Sequence, residues 1–569
     1  MLSGRKEMVI QMATQILKFE QRSRFQKAAF SVSSRTLFSA LLAVLSIQAA
    51  GAQVNVLTAN YSNLRTNANT QETQLTTANV APGQFGRVGT FAVDGQVYAQ
   101  PLYVSGLSIP GQGVHNVLFV ATMHNSVYAF DADSVQGPIV LWHVNFGPSV
   151  PSTLFPSYSD ITPEIGILST GAIDLQRDAL YVVSMNLVAN APQFRLHALD
   201  LATGQEKLNG PVIIGGAVQG NGAGSWGSTV PFDNFWHIQR PGLLLANNMV
   251  YVSFGSHGDQ WQWHGWVMTY NASDLSQQKG VFNATPNGLG GSFWQSGRGL
   301  AADEKGSVYA VSSNGDYDGI SNFAQSFLKL AGAAPQLADW WTPSNWQTMT
   351  SLDQDLSAGP ALVPGTHLLV GGDKAGQLYL VNGDAMGHLD NGSGAAQVIP
   401  ASQGIIFEFA LWSRPGGALV FVQEEAGPVL AYQISNGVLN PSQVSASNTA
   451  TIFSSGGMAI SANGAQDGTA ILWETTGDRS SSLRPGTLHA YDASNLANEL
   501  WNSDMANGPD FLGTFAKFAR PTIANGKVYV PTFSDSVTIY GLLSSQPPAH
   551  PAAPATTADG KPAVRGRLE

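Results

Sequence analysis

The side chains best suited to chemistry lie close together in one stretch of the chain, residues 292–330. Asn314, Asp316 and Asp318 follow an apolar run, and the indole of Trp294 precedes that run. Carboxylate and amide oxygens can bind a hard cation or accept a proton, and an indole can stack on a flat ligand. Asp316 and Asp318 are therefore candidate catalytic residues, and Asn314 and Trp294 are candidate ligand-binding residues.

These residues belong to a unit that recurs along the chain: a short strand, a turn, an apolar strand, a polar loop and further apolar strands. Eight copies can be counted between residues 98 and 543, at a spacing of about 45 to 70 residues, which is the period of propeller blades. Radial repetition of four-stranded sheets leaves only short edges exposed. The sequence predicts an all-β, eight-bladed β-propeller of four-stranded antiparallel blades over residues 85–543, with seven blades as the alternative.

The two ends of the repeat array are complementary. A fourth strand follows seven copies, whereas the eighth stops at Leu543, and residues 87–93 form a spare strand before the first copy. Pairing residues 87–93 with the last third strand, residues 536–540, would close the ring and remove two open edges. Residues 53–84 are expected to wrap around the outside of the fold, and the Pro- and Ala-rich residues 544–569 are expected to form a disordered tail.

Residues 1–52 have the pattern of an export signal. Basic residues precede the apolar run 37–47, and small residues offer a cleavage site near Ala52. The run is too short to span a bilayer, so a membrane anchor is the less favoured alternative. We expect a bacterial protein that is periplasmic or extracellular after signal cleavage and does not insert into a membrane.

Charge and cysteine content exclude several classes of function. Removing residues 1–52 takes away seven of the 27 Lys and Arg residues and two of the 38 Asp and Glu residues, which leaves 20 basic and 36 acidic side chains. A chain this acidic is not expected to bind nucleic acid or an anionic membrane. Because the chain has no cysteine, it can form no disulfide, thiolate nucleophile or cysteine-ligated metal site.

In a propeller, the residues that start each innermost strand and the loops between second and third strands lie on one face. Charged and polar residues at those positions are predicted to surround a funnel that binds a small hydroxylated or anionic ligand, a carbohydrate or a protein partner. Trp261, Trp263 and Trp266 would suit stacking on a sugar. The predicted set is Glu164, Arg240, Arg298, Arg520, His124, His257, Asp259, His264, Asn314, Asp316, Asp318, Lys374, Glu424, Glu425 and Asp478.

Several copies carry Ala-x-Asp after the third strand, sometimes followed by Thr-Gly and a later Trp. Examples are Tyr128-Ala129-Phe130-Asp131 with Trp142, His197-Ala198-Leu199-Asp200 with Thr203-Gly204, and His489-Ala490-Tyr491-Asp492 with Trp501. This pattern resembles the repeat of pyrroloquinoline quinone (PQQ) propellers, the fold of the quinoprotein alcohol dehydrogenases. The resemblance is specific for the fold but not for the function, because the same repeat builds non-enzymatic scaffolds.

The resemblance implies a site in which a quinone lies over a tryptophan, is positioned by calcium and faces a catalytic aspartate. The segment ending in Trp294 is similar to the one that supplies the stacking tryptophan, with a core tryptophan between blades as the alternative. Asn314 matches the asparagine that binds calcium, unless it only forms a turn. Lys374 matches the basic residue that hydrogen-bonds the quinone, unless it is a solvated hairpin lysine.

Other parts of the family's site are less well matched. Arg240, Arg298 and Arg520 are further candidates for the cofactor pocket, and Glu164 is a further candidate metal ligand. The family's glutamate ligand falls at Gln260, although Asp259 can replace it as a ligand.

The family's catalytic aspartate should precede Phe327, where residues 323–326 are Phe-Ala-Gln-Ser and contain no base. Whether the protein is an enzyme is therefore left open. Three classes of function remain: a binding propeller with partly preserved quinone machinery, a PQQ- and calcium-dependent dehydrogenase of alcohols or sugars with a relocated base, and another carbohydrate-active enzyme.

Overall fold

The computed structural model describes residues 54–156, 158–449, 456–477, 485–506 and 508–543. Regular structure in these ranges is almost entirely β-strand, with one α-helix, Trp346–Ser351, and two short 3-10 helices, Ser152–Leu154 and Gln295–Gly297. Within the same ranges, no helix has the length and apolar character needed to cross a membrane. The predicted export signal, the predicted tail and Asp478 lie outside the described residues.

Eight antiparallel sheets follow one another along the chain as the blades of a propeller. Blade 1 consists of Leu102–Ile109, Gly113–Ala121, Ser126–Asp131 and Val140–Asn145, and blade 2 consists of Ala172–Asp174, Ala179–Val188, Ala191–Asp200 and Val212–Ile213. Blade 3 consists of Leu244–Ala246, Met249–Ser256, Trp266–Asn271 and Asp274–Asn283, and blade 4 consists of Ala301–Ala302, Val308–Val311, Phe327–Ala331 and Gln336–Thr342. Blade 5 consists of Leu356–Leu362, Leu368–Asp373, Gln377–Asn382 and Ala396–Pro400, and blade 6 consists of Ile406–Arg414, Gly417–Glu424, Val429–Ser435, Val438–Leu439 and Ser445–Ala446. Blade 7 consists of Met458–Ser461, Ile471–Gly477, Gly486–Asp492 and Glu499–Asn502, and blade 8 consists of Thr522–Ala524, Lys527–Pro531, Ser536–Leu542 and Phe85–Ala92. Shorter strands outside this pattern are Ala68–Asn69, Val150–Pro151, Glu164–Ile165, Ala217–Gln219, Thr229–Pro231, His237–Ile238 and His388–Leu389.

The second strands are apolar over most of their length because a neighbouring blade packs on each of their faces. In Met249–Ser256, every residue except the last is buried, so the strand reads as a continuous apolar run rather than as an alternation. The first strands contact those of neighbouring blades, as Ile406–Arg414 does with Leu356–Leu362 on one side and Met458–Ser461 on the other. The first strands therefore surround the propeller axis.

The amino-terminal strand closes the ring. Phe85–Ala92 pairs antiparallel with Ser536–Leu542, with Phe85 opposite Leu542 and Ala92 opposite Ser536. This pairing completes the eighth blade and removes the free edges at both ends of the repeat array. The prediction of eight blades closed by an amino-terminal strand is confirmed, and the alternative of seven blades is excluded.

Residues 56–69 run along the innermost strands, so the prediction that residues 53–84 wrap around the outside is wrong for this part of the segment. The inner edge of each blade carries backbone groups that need partners, and this segment supplies them. Backbone hydrogen bonds join it to six blades, and the Asn63 and Asn69 side chains donate to Leu245 and Ile523 in blades 3 and 8. The backbone pairs are Val56 with Tyr103, Leu57 with Ile173, Asn63 with Ala302, Leu64 with Leu362, Thr66 with Leu411 and Asn67 with Ile460.

Candidate functional site

A cavity of about 660 Å³ lies where the loops of several blades meet. Its walls come from the starts of innermost strands, from loops between second and third strands, and from the connection between blades 1 and 2. These are the positions predicted to share one face of the ring, and the structure brings many of them together. The residues that line it include Tyr158, Asp160, Arg240, Asp259, Trp263, Leu289, Trp294, Asn314, Asp316, Asp353, Asp355, Lys374, Phe407, Lys517 and Phe518.

Trp294 forms the aromatic centre of the cavity. Its ring is half-buried and meets Phe407 and Phe518 edge-on, with centroids 6.0 Å away in each case. Lys374 Nζ lies 5.6 Å and Arg240 Cζ 5.9 Å from the Trp294 ring centroid. The structure therefore brings together three of the residues predicted to bind a cofactor, with two positive charges beside one indole.

Asp355 is the most strongly perturbed carboxyl group of the cavity. Its Oδ1 atom lies 2.7 Å from Lys374 Nζ, and its Oδ2 atom accepts a hydrogen bond of 2.8 Å from the Trp294 indole. Burial raises the pKa of Asp355 to about 7, although the charge of Lys374 opposes the shift. A carboxyl group with a pKa near neutrality can both accept and donate a proton at physiological pH.

Sequence reasoning missed Asp355 because no motif marks it. It directly precedes the innermost strand of blade 5, which is the kind of position already singled out in blades 2, 3, 4 and 8. Applying the same positional rule to blade 5 would have found Asp355 and its neighbour Asp353. Asp353 lies 2.9 Å from Lys374 Nζ, so one ammonium group pairs with both carboxylates.

Asn314 and Asp259, both predicted metal ligands, lie together at the same end of the cavity. Asn314 Nδ2 donates to Asp353 Oδ1 at 2.6 Å and to Asp259 Oδ2 at 3.5 Å, while Gln325 Nε2 donates to Asn314 Oδ1 at 2.8 Å. Burial raises the pKa of Asp259, although a hydrogen bond from Ser256 and the charge of Lys374 lower it.

The oxygen donors at this end are of the kind that calcium prefers, but they fall short of the six to eight that calcium takes. In the part of the chain that the structure describes, no group of three or more Asp, Glu, His or Cys side chains is arranged to hold a metal ion. Glu164, the third predicted metal ligand, lies elsewhere. It accepts hydrogen bonds from His124 Nδ1 at 3.2 Å and from Ser149, and it does not line the cavity.

The two predicted catalytic aspartates are separated by the fold. Asp316 lines the cavity, and its carboxylate accepts a hydrogen bond of 2.9 Å from the Leu289 amide. Asp318 lies outside the cavity and accepts bonds of 2.8 Å from the amides of Ile320, Ser321 and Asn322. Burial alone would raise the pKa of Asp318, but these bonds lower it to about 2. Asp318 therefore stabilises a turn, which corrects its prediction as a catalytic residue.

Arg298 and Arg520 also lie outside the cavity, which corrects their prediction as cofactor-binding residues. Both guanidinium groups pair with the buried carboxylate of Glu408, and Arg520 also donates to the Ser296 carbonyl at 3.0 Å. Arg65 lies beside them and donates to the Leu300 carbonyl at 2.7 Å. We call Arg65, Arg298, Arg520 and Glu408 the central ion network; all four are at most 2% exposed.

Arg240 is the predicted arginine that does reach the cavity, and its polar groups are incompletely paired. It is 8% exposed, and its Nη1 atom donates to Asp160 at 3.3 Å. Among the residues that the structure describes, its Nε and Nη2 atoms are buried and have no hydrogen-bond partner. Since unpaired buried donors are unfavourable, the protein itself satisfies the Arg240 guanidinium group incompletely.

The predicted histidines of blade 3 are buried behind the cavity wall. His257 stacks on Phe155 with centroids 4.0 Å apart, and neither of its ring nitrogens has a hydrogen-bond partner. Burial lowers the pKa of His257 to about 3. His264 Nε2 donates to the Ala223 carbonyl at 2.8 Å and so ties the segment around Ala223 to blade 3.

Comparison with known proteins identifies the fold and no closer relationship. No family model matches the chain, and no curated protein matches it significantly. A quinohemoprotein alcohol dehydrogenase from Pseudomonas putida is 16% identical with a TM-score of 0.55, covering 89% of this chain and 84% of that one. A europium-containing methanol dehydrogenase is 12% identical with a TM-score of 0.58, covering 86% of this chain and 98% of that one. The chain therefore has the eight-bladed β-propeller fold of the quinoprotein alcohol dehydrogenases, the family that its repeats resemble.

Proposed function

We propose that the cavity binds a small, flat, anionic ligand. The observation that carries this proposal is Arg240, a buried cation whose Nε and Nη2 atoms lack partners at the wall of the cavity. Lys517 and Lys374 line the same space, and Trp294, Phe407 and Phe518 provide aromatic surface. A carboxylate can take two parallel hydrogen bonds from a guanidinium group, and a flat ring can pack against the aromatic side chains.

A quinone with several carboxylates, such as PQQ, fits this description. Its carboxylates would pair with Arg240 and Lys517, and its ring would lie against Trp294. Asn314, Asp259 and Asp353 could supply only part of the coordination of a calcium ion, so the proposed binding does not depend on one.

Binding can be tested with two flat polyanions, PQQ and benzenetricarboxylate (trimesate), by titration calorimetry on the purified protein. Arg240→Met should weaken both, whereas Arg195→Met, which removes an arginine of blade 2 outside the cavity, should leave both unchanged. Wild-type protein that binds neither compound would contradict the proposal.

A second candidate function, oxidation of an alcohol or a sugar, is favoured by Asp355. With a pKa of about 7 and a position against the Trp294 indole, its carboxylate can accept the hydroxyl proton of a substrate lying in the cavity. Lys374, 2.7 Å away, would stabilise the carboxylate before the transfer. PQQ, when bound, supplies a two-electron acceptor for the hydride that the substrate carbon loses.

The dehydrogenase hypothesis is tested by dye reduction with a panel of alcohols and aldoses, after reconstitution with PQQ and calcium. Asp355→Asn should abolish turnover while PQQ still binds, because the amide cannot accept the proton. Asp318→Asn is the matched control, since Asp318 lies outside the cavity. Equal turnover in the wild type and Asp355→Asn would exclude Asp355 as the base, and PQQ binding without turnover on any substrate would leave the binding function alone.

We also propose that the protein acts outside the cytoplasm. The export pattern of residues 1–52 supports this location. Fractionation of cells that express the full chain should find a shortened product in the periplasm or the medium. A full-length cytoplasmic product would contradict this part of the proposal.

A further inference from the structure

We infer that Asp160 is a specificity-determining residue that limits the negative charge of the ligand accepted by the cavity, because its carboxylate competes with the ligand for Arg240 and Lys517. This inference rests on the proposed binding of an anionic ligand. In addition, the Asp160 carboxylate is an acceptor within the protein that already occupies the place where an anionic group of the ligand would bind.

The geometry of Asp160 is that of an internal substitute for a ligand carboxylate. Asp160 lies in the connection between blades 1 and 2 and lines the cavity. One carboxylate oxygen pairs with Lys517 Nζ, and the other accepts a hydrogen bond of 3.3 Å from Arg240 Nη1. The two positive charges of this end of the cavity therefore already face one negative charge.

The pairing of Asp160 with Arg240 is incomplete, which leaves room for competition. A carboxylate that approaches a guanidinium group along two of its nitrogens makes two parallel hydrogen bonds. Asp160 uses Nη1 alone, at a long distance, and leaves Nε and Nη2 unpartnered. A ligand carboxylate that makes two hydrogen bonds with the guanidinium group would bind Arg240 better than Asp160 does.

Asp160 is charged under ordinary conditions and can turn towards solvent. Although burial favours its neutral form, Arg240 and Lys517 lower the pKa of Asp160 to about 2. The side chain is 36% exposed, so its carboxylate can be hydrated when a ligand displaces it. Whether it is displaced or stays, its negative charge opposes the binding of an anion, and the opposition grows with the charge of the anion.

The test is calorimetric titration of wild-type protein and Asp160→Asn with three flat probes of different charge: trimesate, benzoate and benzamide. Removing the carboxylate should strengthen trimesate binding about tenfold and benzoate binding about two- to threefold, and leave benzamide unchanged. Raising the salt concentration should reduce the difference between the two proteins. Asp133→Asn is the matched control, because Asp133 forms an exposed ion pair with Lys527 outside the cavity.

Each outcome has a distinct meaning. Stronger binding of the anions by Asp160→Asn than by the wild type supports the inference. Trimesate binding that is equal or weaker in the variant, with wild-type binding intact, overturns the inference alone, because Asp160 would then position Arg240 instead of competing for it. Absence of binding to both proteins overturns the proposed function and this inference together. A thermal unfolding profile of Asp160→Asn that matches the wild type would show that the variant is folded, and Asp160→Ala provides a second variant without the carboxylate.

Discussion

The central ion network and the cavity both contain buried arginines, yet they pair them differently. In the network, Glu408 shares its carboxylate between Arg298 and Arg520, and Arg65 donates to Thr58 and to the carbonyls of Ala59, Leu243 and Leu300. In the cavity, Arg240 has one long hydrogen bond, to Asp160, and two nitrogens without partners.

Three arginines lie at the start of an innermost strand: Arg240, Arg298 and Arg520. Their partners, and not their positions, separate a structural arginine from one that is available to a ligand. Arg298 and Arg520 each keep one buried Nε without a partner among the described residues, but both pair with the buried carboxylate of Glu408. Arg240 keeps two unpaired nitrogens and lies at the wall of a cavity.

The largest effect is expected from breaking the central ion network. Glu408→Ala would leave Arg298 and Arg520 buried without their carboxylate, and removal of one partner from a buried ion pair typically destabilises a protein by about 3–5 kcal/mol. Chemical denaturation would measure the loss. A loss below about 1 kcal/mol would show that backbone carbonyls alone can hold these arginines.

In the cavity, Asp355 should make the stability of the protein depend on pH. Its folded pKa of about 7 lies above the ordinary aspartate value of 3.8, so between these values the folded state holds a proton that the unfolded state has lost. Stability should therefore fall as pH rises from about 4 to 7, by up to about 4 kcal/mol at 1.36 kcal/mol per pKa unit. Asp355→Asn should remove this dependence, as measured by denaturation across the range. A wild type and variant with parallel pH profiles would contradict the raised pKa.

Arg240→Met should weaken the binding of trimesate by about 10- to 100-fold, because a hydrogen bond to a charged group contributes about 1.5–3 kcal/mol. The same substitution should change the free energy of unfolding by less than about 1 kcal/mol, since Arg240 makes only one long internal hydrogen bond. Calorimetry and denaturation on the same preparation would measure both quantities. A large loss of stability would mean that Arg240 belongs with the central ion network rather than with a ligand site.

The smallest effect is expected from the histidine behind the cavity wall. Because burial lowers the folded pKa of His257 to about 3, the unfolded state gains a proton below about pH 6.5 that the folded state does not. His257→Phe should keep the stacking on Phe155 and stabilise the protein by up to about 2 kcal/mol at pH 5, with no effect at pH 8. Thermal unfolding at the two pH values would measure the difference. A gain of equal size at both values would point to packing instead of protonation.

The ring could be predicted because eight copies of the repeat carry the same pattern of strands and turns. The second strands are apolar on both faces, the turns between them are polar, and the spare strand at residues 87–93 has an obvious partner. The convergence of Trp294, Asn314 and Lys374 on one cavity also follows from blade geometry, since their positions within the blade fix the face on which they lie.

The errors arose where long-range pairing decides the outcome. The Asn- and Thr-rich residues 54–84 have the composition of a surface segment, but residues 56–69 pair with the inner edges of the blades. Arg298 lies outside the cavity because it pairs with Glu408, a residue that is distant in sequence and that no motif marks. The pKa of Asp355 depends on its burial in the folded protein. The residues around it in the sequence therefore give no sign that this pKa is raised.

A crystal structure of the protein soaked with trimesate would show whether the cavity binds a flat anion. We expect a carboxylate of the ligand within hydrogen-bond distance of the Arg240 guanidinium group, with the ring against Trp294. Ligand bound away from Arg240, or a cavity that stays empty at saturating trimesate, would contradict it.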